Sequence, residues 1–243
     1  MIEILDSTST MEGQGVTVNR LFPVSSRRMN HDPFVLFDHF VVEQGQGFDT
    51  HPHRGFEAIT FLFSGAMRHK DNLGNDSVVS AGGAQIFCAG KGISHSEMPE
   101  GEGDNNGIQF WISLEKKLKT VEPTYQLVEA AELPIISLDG VARTIIVGEG
   151  SPVRMQNNIK YEYMTIDQGK TYEIQDIEGE SGLIYLISGS LEIEGEHLTK
   201  TQSILFDINN KSITLKAHSE CQLMYASGRP HFEPIVQYGP YVD

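Results

Sequence analysis

Residues 56–65 read FEAITFLFSG, an apolar run rich in β-branched and aromatic side chains that closes on Ser-Gly. Residues 182–189 read GLIYLISG and have the same character. Runs of this kind are typical of buried strands, and the glycine at the end of each predicts a turn. Two runs of one design, far apart in the chain, indicate two copies of one β unit.

The surroundings of the two runs extend this likeness. Residues 84–88 (AQIFC) resemble residues 202–206 (QSILF), and the 24 glycines of the chain separate many such short apolar stretches. The predicted fold is therefore all-β, a sandwich or barrel of short antiparallel strands. We expect a boundary in the stretch that carries Lys, Glu and Pro, which gives domains at 1–125 and 126–243. One large sandwich with similar strands is the alternative.

Composition excludes several classes of protein. The 243 residues include 18 Lys and Arg against 33 Asp and Glu, a formal net charge of -15, so direct binding to nucleic acid is not expected. Two distant cysteines, Cys88 and Cys221, indicate a reducing compartment, which we take as the cytoplasm. The first residues lack the features of a signal peptide, and no run approaches ~18 consecutive apolar residues, so no membrane span is expected.

Two pairs of metal-ligand residues lie beside the strand-like runs. His51 and His53 precede the first run, and His95 and Glu97 follow residues 89–93 (AGKGI). Because side chains two residues apart on a strand point to the same face, the members of each pair project together. A single histidine would more often be solvated or hydrogen-bonded, but two pairs with matched spacing favour one shared metal ion.

Three neutral imidazoles and one carboxylate form a mixed nitrogen and oxygen set. Such a set suits a divalent first-row transition metal: iron, manganese, cobalt, nickel, copper or zinc. In an octahedral sphere, four protein ligands leave two positions for water, dioxygen or substrate oxygens. Structural zinc sites are closed and usually sulfur-rich, so this arrangement predicts a reactive centre.

Three segments carry a family resemblance. Residues 51–57 (HPHRGFE), 89–99 (AGKGISHSEMP) and 229–242 (RPHFEPIVQYGPYV) resemble the signature segments and the C-terminal segment of the pirin family, within the cupin superfamily. The chain departs from the pattern at Lys91 and Ser94, which are not ligand positions. The resemblance implies a bicupin, two cupin-type antiparallel β-barrels with metal only in the N-terminal one. It also implies the ligands, at the positions that match His51, His53, His95 and Glu97.

The resemblance implies an activity as well, because several pirins are quercetin 2,3-dioxygenases. We expect a flavonol-like substrate, dioxygen, and one divalent metal ion, iron first. Glu97 is then the fourth ligand and, when displaced, a catalytic proton acceptor. A metal- or redox-sensing regulatory protein that acts through protein partners is the alternative, and another small-molecule enzyme is a third hypothesis. The sequence does not determine the oligomeric state, although closed barrels leave few free strand edges and are compatible with a monomer.

The resemblance also bears on residues around the ligands. Glu57 matches the place where many other cupins take a glutamate ligand, and we expect it beside the metal ligands rather than among them. We also expect some aromatic residues of the stretch 30–40 to line or cover the pocket. Phe34 and Phe37 individually are interpreted as core residues.

The second unit lacks the ligand pattern. Alignment of Gly189 with Gly65 places Gln175 and Ile177 at the positions of His51 and His53. We therefore expect the C-terminal barrel to be free of metal. His197 and His218 are expected to be isolated, each a surface or hydrogen-bonding residue.

Overall fold

The computed structural model describes residues 2–243, whose regular structure is almost entirely β. Two short 3-10 helices, Lys116–Leu118 and Ala130–Glu132, occur among these residues. Within them, no helix is long and apolar enough to cross a membrane. The strands are β1 (Ile2–Asp6), β2 (Thr8–Glu12), β3 (Val16–Phe22), β4 (Phe34–Val42), β5 (Phe48–His53), β6 (Phe56–Ser64), β7 (Ala66–Asp71), β8 (Asp76–Ser80), β9 (Ala84–Cys88), β10 (Ile93–Pro99), β11 (Asn105–Ser113), β12 (Thr124–Val128), β13 (Ile135–Leu138), β14 (Val141–Val147), β15 (Ile159–Ile166), β16 (Thr171–Ile174), β17 (Ser181–Ser188), β18 (Leu191–Ile193), β19 (Glu196–Leu198), β20 (Gln202–Phe206), β21 (Ile213–Ala217), β22 (Cys221–Gly228), β23 (Gln237–Tyr238) and β24 (Tyr241–Val242).

The chain forms two compact units, each built from non-contiguous segments. The N-terminal unit comprises Thr8–Glu132, Val153–Asn157 and His231–Asp243. The C-terminal unit comprises the segment up to Ser7, Leu133–Pro152 and Asn158–Pro230. The start of the chain, up to Ser7, therefore belongs to the C-terminal unit, and its last residues, His231–Asp243, belong to the N-terminal unit. A single boundary between residues 125 and 126 does not give this division.

The N-terminal unit contains one sheet of seven strands, one of four, and the two-stranded sheet of β23 and β24. The seven strands lie in the order β12-β9-β6-β11-β4-β3-β2, and the four in the order β5-β10-β7-β8. Strand β6, the apolar run at 56–64, is buried over its first seven residues because neighbours flank it on both edges and side chains cover both faces. Gly65 ends it with φ 78°, and a Cβ there would collide with the side chain of Asn105.

The C-terminal unit repeats this design. Its seven strands follow the order β1-β20-β17-β22-β15-β14-β13 and its four the order β16-β21-β18-β19, which matches the first unit strand for strand. Strand β17 corresponds to β6, and Gly189 ends it with φ 95°, as Gly65 ends β6. The predicted all-β fold of two cupin-type units is confirmed.

Candidate metal centre

The four-stranded sheet of the N-terminal unit brings the predicted pairs together. In the antiparallel pairing of β5 with β10, His51 lies opposite His95, and His53 lies opposite Ile93. Directly opposite residues share a face of the sheet, so the two histidines of β5 and His95 point the same way. Glu97 follows on that face after a β-bulge, which places it opposite Phe48.

The three imidazoles form one compact group. Their ring centroids are 4.5 Å apart for His51 and His53, 4.6 Å for His51 and His95, and 4.9 Å for His53 and His95. One ring nitrogen from each lies within 4.8 Å of the others. Since a metal ion is bound at about 2.0–2.1 Å by each imidazole, small side-chain adjustments suffice for three ligands to reach one ion.

Hydrogen bonds at Nδ1 of His51 and His53 leave the Nε2 atom of each ring available to bind a metal. His51 Nδ1 lies 2.6 Å from the carbonyl oxygen of Asp49, and His53 Nδ1 lies 3.3 Å from that of Pro240. A carbonyl only accepts, so both Nδ1 atoms carry the proton and both Nε2 atoms carry a lone pair. His95 Nε2 is buried and has no hydrogen-bond partner among residues 2–243. An unpaired buried nitrogen is costly in free energy, and a bound cation would satisfy it.

Burial keeps the cluster neutral. It lowers the pKa of His51, and it lowers the pKa of His53 to about 3, with the neighbouring His51 adding to the effect. Burial, together with the surrounding histidines, also lowers the pKa of His95 well below its ordinary value. All three rings are therefore uncharged near neutral pH and can offer lone pairs to a metal. The residues present fit a transition-metal ion.

Glu97 is close to the cluster but grouped differently. It is 6% exposed, and its Oε1 accepts hydrogen bonds from Thr60 Oγ1 at 3.2 Å and from Gln85 Nε2. Its carboxylate lies within 4.8 Å of ligand nitrogens of His69 and His95. It does not lie within that distance of the ligand nitrogens of all three of His51, His53 and His95. Burial raises the pKa of Glu97 to about 7. Its assignment as fourth ligand stays a prediction.

The expectation that Glu57 lies beside the ligands is wrong. Its carboxylate is 1% exposed and accepts hydrogen bonds from the backbone N–H groups of Gln156 and Asn157, at 2.8 and 2.9 Å. A third hydrogen bond, at 2.8 Å, comes from Asn157 Nδ2. Glu57 therefore anchors the segment Val153–Asn157 to the N-terminal unit.

Sequence reasoning missed two residues of the site, His69 and Asp71 on β7. In the pairing of β7 with β10, His69 lies opposite Glu97 and Asp71 lies opposite His95. His69 is fully buried, and its ring stacks on Tyr125 with centroids 4.1 Å apart. Burial lowers its pKa, so the ring is neutral. The signal was present in the sequence, because His69 and Asp71 repeat the two-residue spacing of the other pairs.

A cavity of about 620 Å³ opens beside the cluster, within the usual size range of small-molecule sites. His51, His53 and Glu97 form part of its wall. Other wall residues are Val18, Arg20, Leu36, Asp38, Phe40, Phe48, Thr60, Met67, Gln109, Trp111 and Pro240. The wall also carries Glu12, Gln14, Asp49, Thr50 and Gln237, so the cavity suits a ligand with an apolar body and several polar groups.

Arg20, the one cationic side chain that residues 2–243 place on the cavity wall, is compensated by carboxylates. Arg20 donates two hydrogen bonds to the carboxylate of Asp38, at 2.8 and 2.6 Å, and its third nitrogen lies 2.7 Å from Glu12. No uncompensated positive charge therefore faces the cavity from Arg20. Among the aromatics of residues 30–40, Phe40 borders the cavity, whereas Phe34 and Phe37 are fully buried and pack on Phe110, as expected of core residues.

The C-terminal unit has a different histidine cluster. The expectation that its two histidines are isolated is wrong: His218 Nε2 lies 2.9 Å from Glu192 Oε2, and His197 Nε2 lies 3.9 Å from the same atom. The hairpin of β18 and β19 places Glu192 opposite His197, and His218 follows β21 on the other side. These side chains are 27–66% exposed, as expected of surface residues, whereas His53, His69 and His95 are buried.

The positions aligned with His51 and His53 carry no ligand cluster. Gln175 is exposed and donates a hydrogen bond to Glu173, and Ile177 is buried in the apolar core.

Comparison with known proteins gives a consistent result over the whole chain. Residues 15–112 match the Pirin family, and residues 161–243 match the Pirin C-terminal cupin domain. A pirin-like protein of Solanum lycopersicum is 35% identical, covering 95% of this chain and 82% of its own length. A Pseudomonas aeruginosa protein provisionally named quercetin 2,3-dioxygenase is 32% identical, covering 100% and 90%.

Two solved structures share the fold. Quercetin 2,3-dioxygenase from Acinetobacter baumannii superposes with a TM-score of 0.91 at 25% identity, covering 99% of this chain and 90% of that one. A bacterial pirin from Escherichia coli, solved in complex with nickel(II), gives a TM-score of 0.79 at 22% identity, covering 95% and 100%.

Proposed function

This chain belongs to the pirin family, and from that premise we propose that it is a metal-dependent quercetin 2,3-dioxygenase. The reaction takes one flavonol and one dioxygen and yields one carbon monoxide and one depside. The metal is a divalent first-row ion, iron first, held by His51, His53 and His95 with Glu97 as fourth ligand. The related proteins named as quercetin dioxygenases, and the relative that binds nickel, support this assignment.

One observation carries the proposal: the unpaired Nε2 of His95 beside two histidines whose Nδ1 atoms donate to backbone carbonyls. His51 and His53 lie on the wall of the cavity, so a small molecule bound in the cavity would lie beside an ion held by the three histidines. When bound, such an ion supplies the Lewis-acid and redox chemistry that a dioxygenase needs.

The residues of the chain contribute the proton chemistry. A flavonol must lose its 3-hydroxyl proton before its oxygen acts as an anionic ligand. Glu97 lies on the cavity wall, and in the metal-free protein burial raises the pKa of its carboxyl to about 7, so a Glu97 carboxylate displaced from the ion can accept a proton near neutral pH. We therefore assign Glu97 as the acceptor of the substrate hydroxyl proton, with Thr60 and Gln85 holding its Oε1.

The cavity also bears on the class of substrate. Its wall combines apolar side chains with uncharged polar groups, and Asp38 and Glu12 compensate the charge of Arg20. Asp49 and Glu97 add further carboxylates, so the cavity offers little to a phosphate or a polycarboxylate. A flat, uncharged polyphenol matches both properties. We place the protein in the cytoplasm, since both cysteines, Cys88 and Cys221, are free thiols.

The test is dioxygen uptake and flavonol bleaching with quercetin. The protein is reconstituted separately with iron, manganese, nickel and copper, and metal-free protein is the control. Turnover with one of these ions, one carbon monoxide per flavonol, and loss of turnover in Glu97→Gln are the expected results. Stoichiometric metal binding without turnover for any ion would favour the metal-sensing regulatory function instead.

A further inference from the structure

We propose that Asp71, acting through His69, fixes the proton of His95 on Nδ1 and so directs the Nε2 lone pair of His95 toward the metal. This inference rests on the proposed metal site, but it concerns hydrogen bonds that are present before any metal binds. Asp71 and His69 are positioning residues in this scheme, and neither needs to contact the ion.

Asp71 is held as a hydrogen-bond acceptor from several directions. Its Oδ1 accepts from the backbone N–H groups of Leu73 and Asn75, at 2.9 and 3.0 Å. Its Oδ2 accepts from Asn75 Nδ2 at 2.8 Å and lies 3.0 Å from His69 Nε2. The donors on Leu73 and Asn75 can only donate, so they orient a carboxylate, and that carboxylate accepts from His69 as well.

The position of the proton on His69 then determines the position of the proton on His95. A neutral imidazole carries a single N–H, and in His69 it lies on Nε2, facing Asp71. His69 Nδ1 is therefore an acceptor, and it lies 3.3 Å from His95 Nδ1. The proton of that contact belongs to His95, whose Nε2 is left with a lone pair and no partner.

His95 differs from the other two ligand histidines in this respect. Backbone carbonyls hold His51 and His53, and a carbonyl cannot change from acceptor to donor. A second imidazole holds His95, and an imidazole nitrogen can play either role. The tautomer of His95 therefore depends on side chains, and the stacking of His69 on Tyr125 at 17° keeps the intermediate ring in place.

The substitution Asp71→Asn tests this scheme with almost no change in shape. Two backbone donors keep the amide oxygen at the Oδ1 position, so the amide Nδ2 faces His69 and donates to its Nε2. The side-chain amide of Asn75 turns over, so that its oxygen accepts the second Nδ2 hydrogen. The proton of His69 moves to Nδ1, and that of His95 moves to Nε2. We expect the affinity for nickel(II) to fall about ten- to a hundred-fold, the range for residues that support metal ligands.

The matched control is Asp76→Asn. Asp76 lies on β8 of the same sheet, is 44% exposed, and pairs with Arg68, so the variant loses the same charge without contact to the histidines. We expect its nickel affinity to stay within about two-fold of wild type.

Nitrogen-15 NMR of the metal-free protein reports the tautomer directly. In wild type we expect His95 to be protonated at Nδ1 and unprotonated at Nε2, and in Asp71→Asn we expect the reverse. This readout does not depend on metal binding. If no metal binds, the proposed function fails while the hydrogen-bond scheme is still tested. A wild-type His95 with its proton on Nε2 overturns the scheme, even if the variants fold poorly.

A double-substitution cycle separates positioning from general damage. If Asp71 acts through His69, Asp71→Asn should have no further effect on nickel affinity in a His69→Gln background. Equal losses in both backgrounds would contradict the proposal, as would an Asp71→Asn variant with unchanged affinity and an unchanged His95 tautomer.

Discussion

The two barrels share one strand order and differ on the inner face of their four-stranded sheets. In the N-terminal unit, Glu97 of β10 lies opposite His69 of β7. In the C-terminal unit, the corresponding strands place Leu215 of β21 opposite Ile193 of β18. Ile213, two residues before Leu215, takes the position that His95 takes before Glu97.

This contrast separates what the fold needs from what the site needs. Ile193, Ile213 and Leu215 are fully buried in one apolar cluster of the C-terminal unit, where burial of apolar surface is stabilising. The N-terminal unit places histidines and a carboxylate at the matching positions, which costs desolvation and leaves His95 Nε2 unpaired. A barrel of this topology thus folds with either set, so the polar set is not required by the architecture.

The largest expected effect is the loss of metal on substitution of His95. In His95→Ala, bound metal should fall well below one equivalent, and any oxygenase activity should be abolished. The free energy of unfolding of the metal-free protein should fall by less than about 2 kcal/mol, because an unpaired buried nitrogen is removed together with its packing. Metal analysis after gel filtration and urea unfolding measure the two effects. Full metal occupancy in this variant would contradict the site assignment.

Ile213→Ala, at the position that corresponds to His95, should lower stability without loss of metal. Removal of a fully buried isoleucine from the apolar cluster should cost about 2–5 kcal/mol in the C-terminal unit, with metal stoichiometry unchanged. The one tryptophan, Trp111, lies in the N-terminal unit, so its fluorescence follows that unit while circular dichroism follows both. A Trp111 fluorescence transition that shifts to lower urea concentration than the circular dichroism transition would contradict a destabilisation confined to the C-terminal unit.

Glu97 should give the metal-free protein a pH dependence that Leu215 cannot. Burial raises the pKa of Glu97 from 4.5 to about 7, so the folded state binds its proton more tightly than the unfolded state. Its contribution to stability is complete below pH 4.5 and is lost as the pH rises through 7. Relative to Glu97→Gln, wild type should lose up to about 3 kcal/mol between pH 4.5 and 8.5.

Urea unfolding of both proteins across this pH range measures the difference. Saturating metal should remove it if Glu97 is the fourth ligand, since the ion then stabilises the carboxylate. A difference that persists with metal bound would leave Glu97 outside the coordination sphere.

The sequence was informative where the evidence is local. Apolar runs that end in glycine predict strand β6 and its counterpart β17. The two-residue spacing of His51 and His53 predicts that both side chains lie on one face. The same local rule applies to His69 and Asp71, which repeat the two-residue spacing on β7. Long-range contacts carried no such signal. The carbonyl of Pro240 accepts from His53 across 187 positions, and a backbone carbonyl has no signature in sequence.

The smallest expected effect concerns the exposed cluster of the C-terminal unit. In His218→Ala, the single tight metal equivalent of the N-terminal site should remain, and its affinity should be unchanged. His197 is 66% exposed, so binding there would have to order a mobile side chain. The amine of Lys216, 3.7 Å from Glu192 Oε2, also competes with a cation for that carboxylate. Isothermal titration with nickel(II) distinguishes the outcomes. Loss of the tight equivalent in His218→Ala would move the metal centre to the C-terminal unit, whereas its retention ties tight binding to His51, His53 and His95.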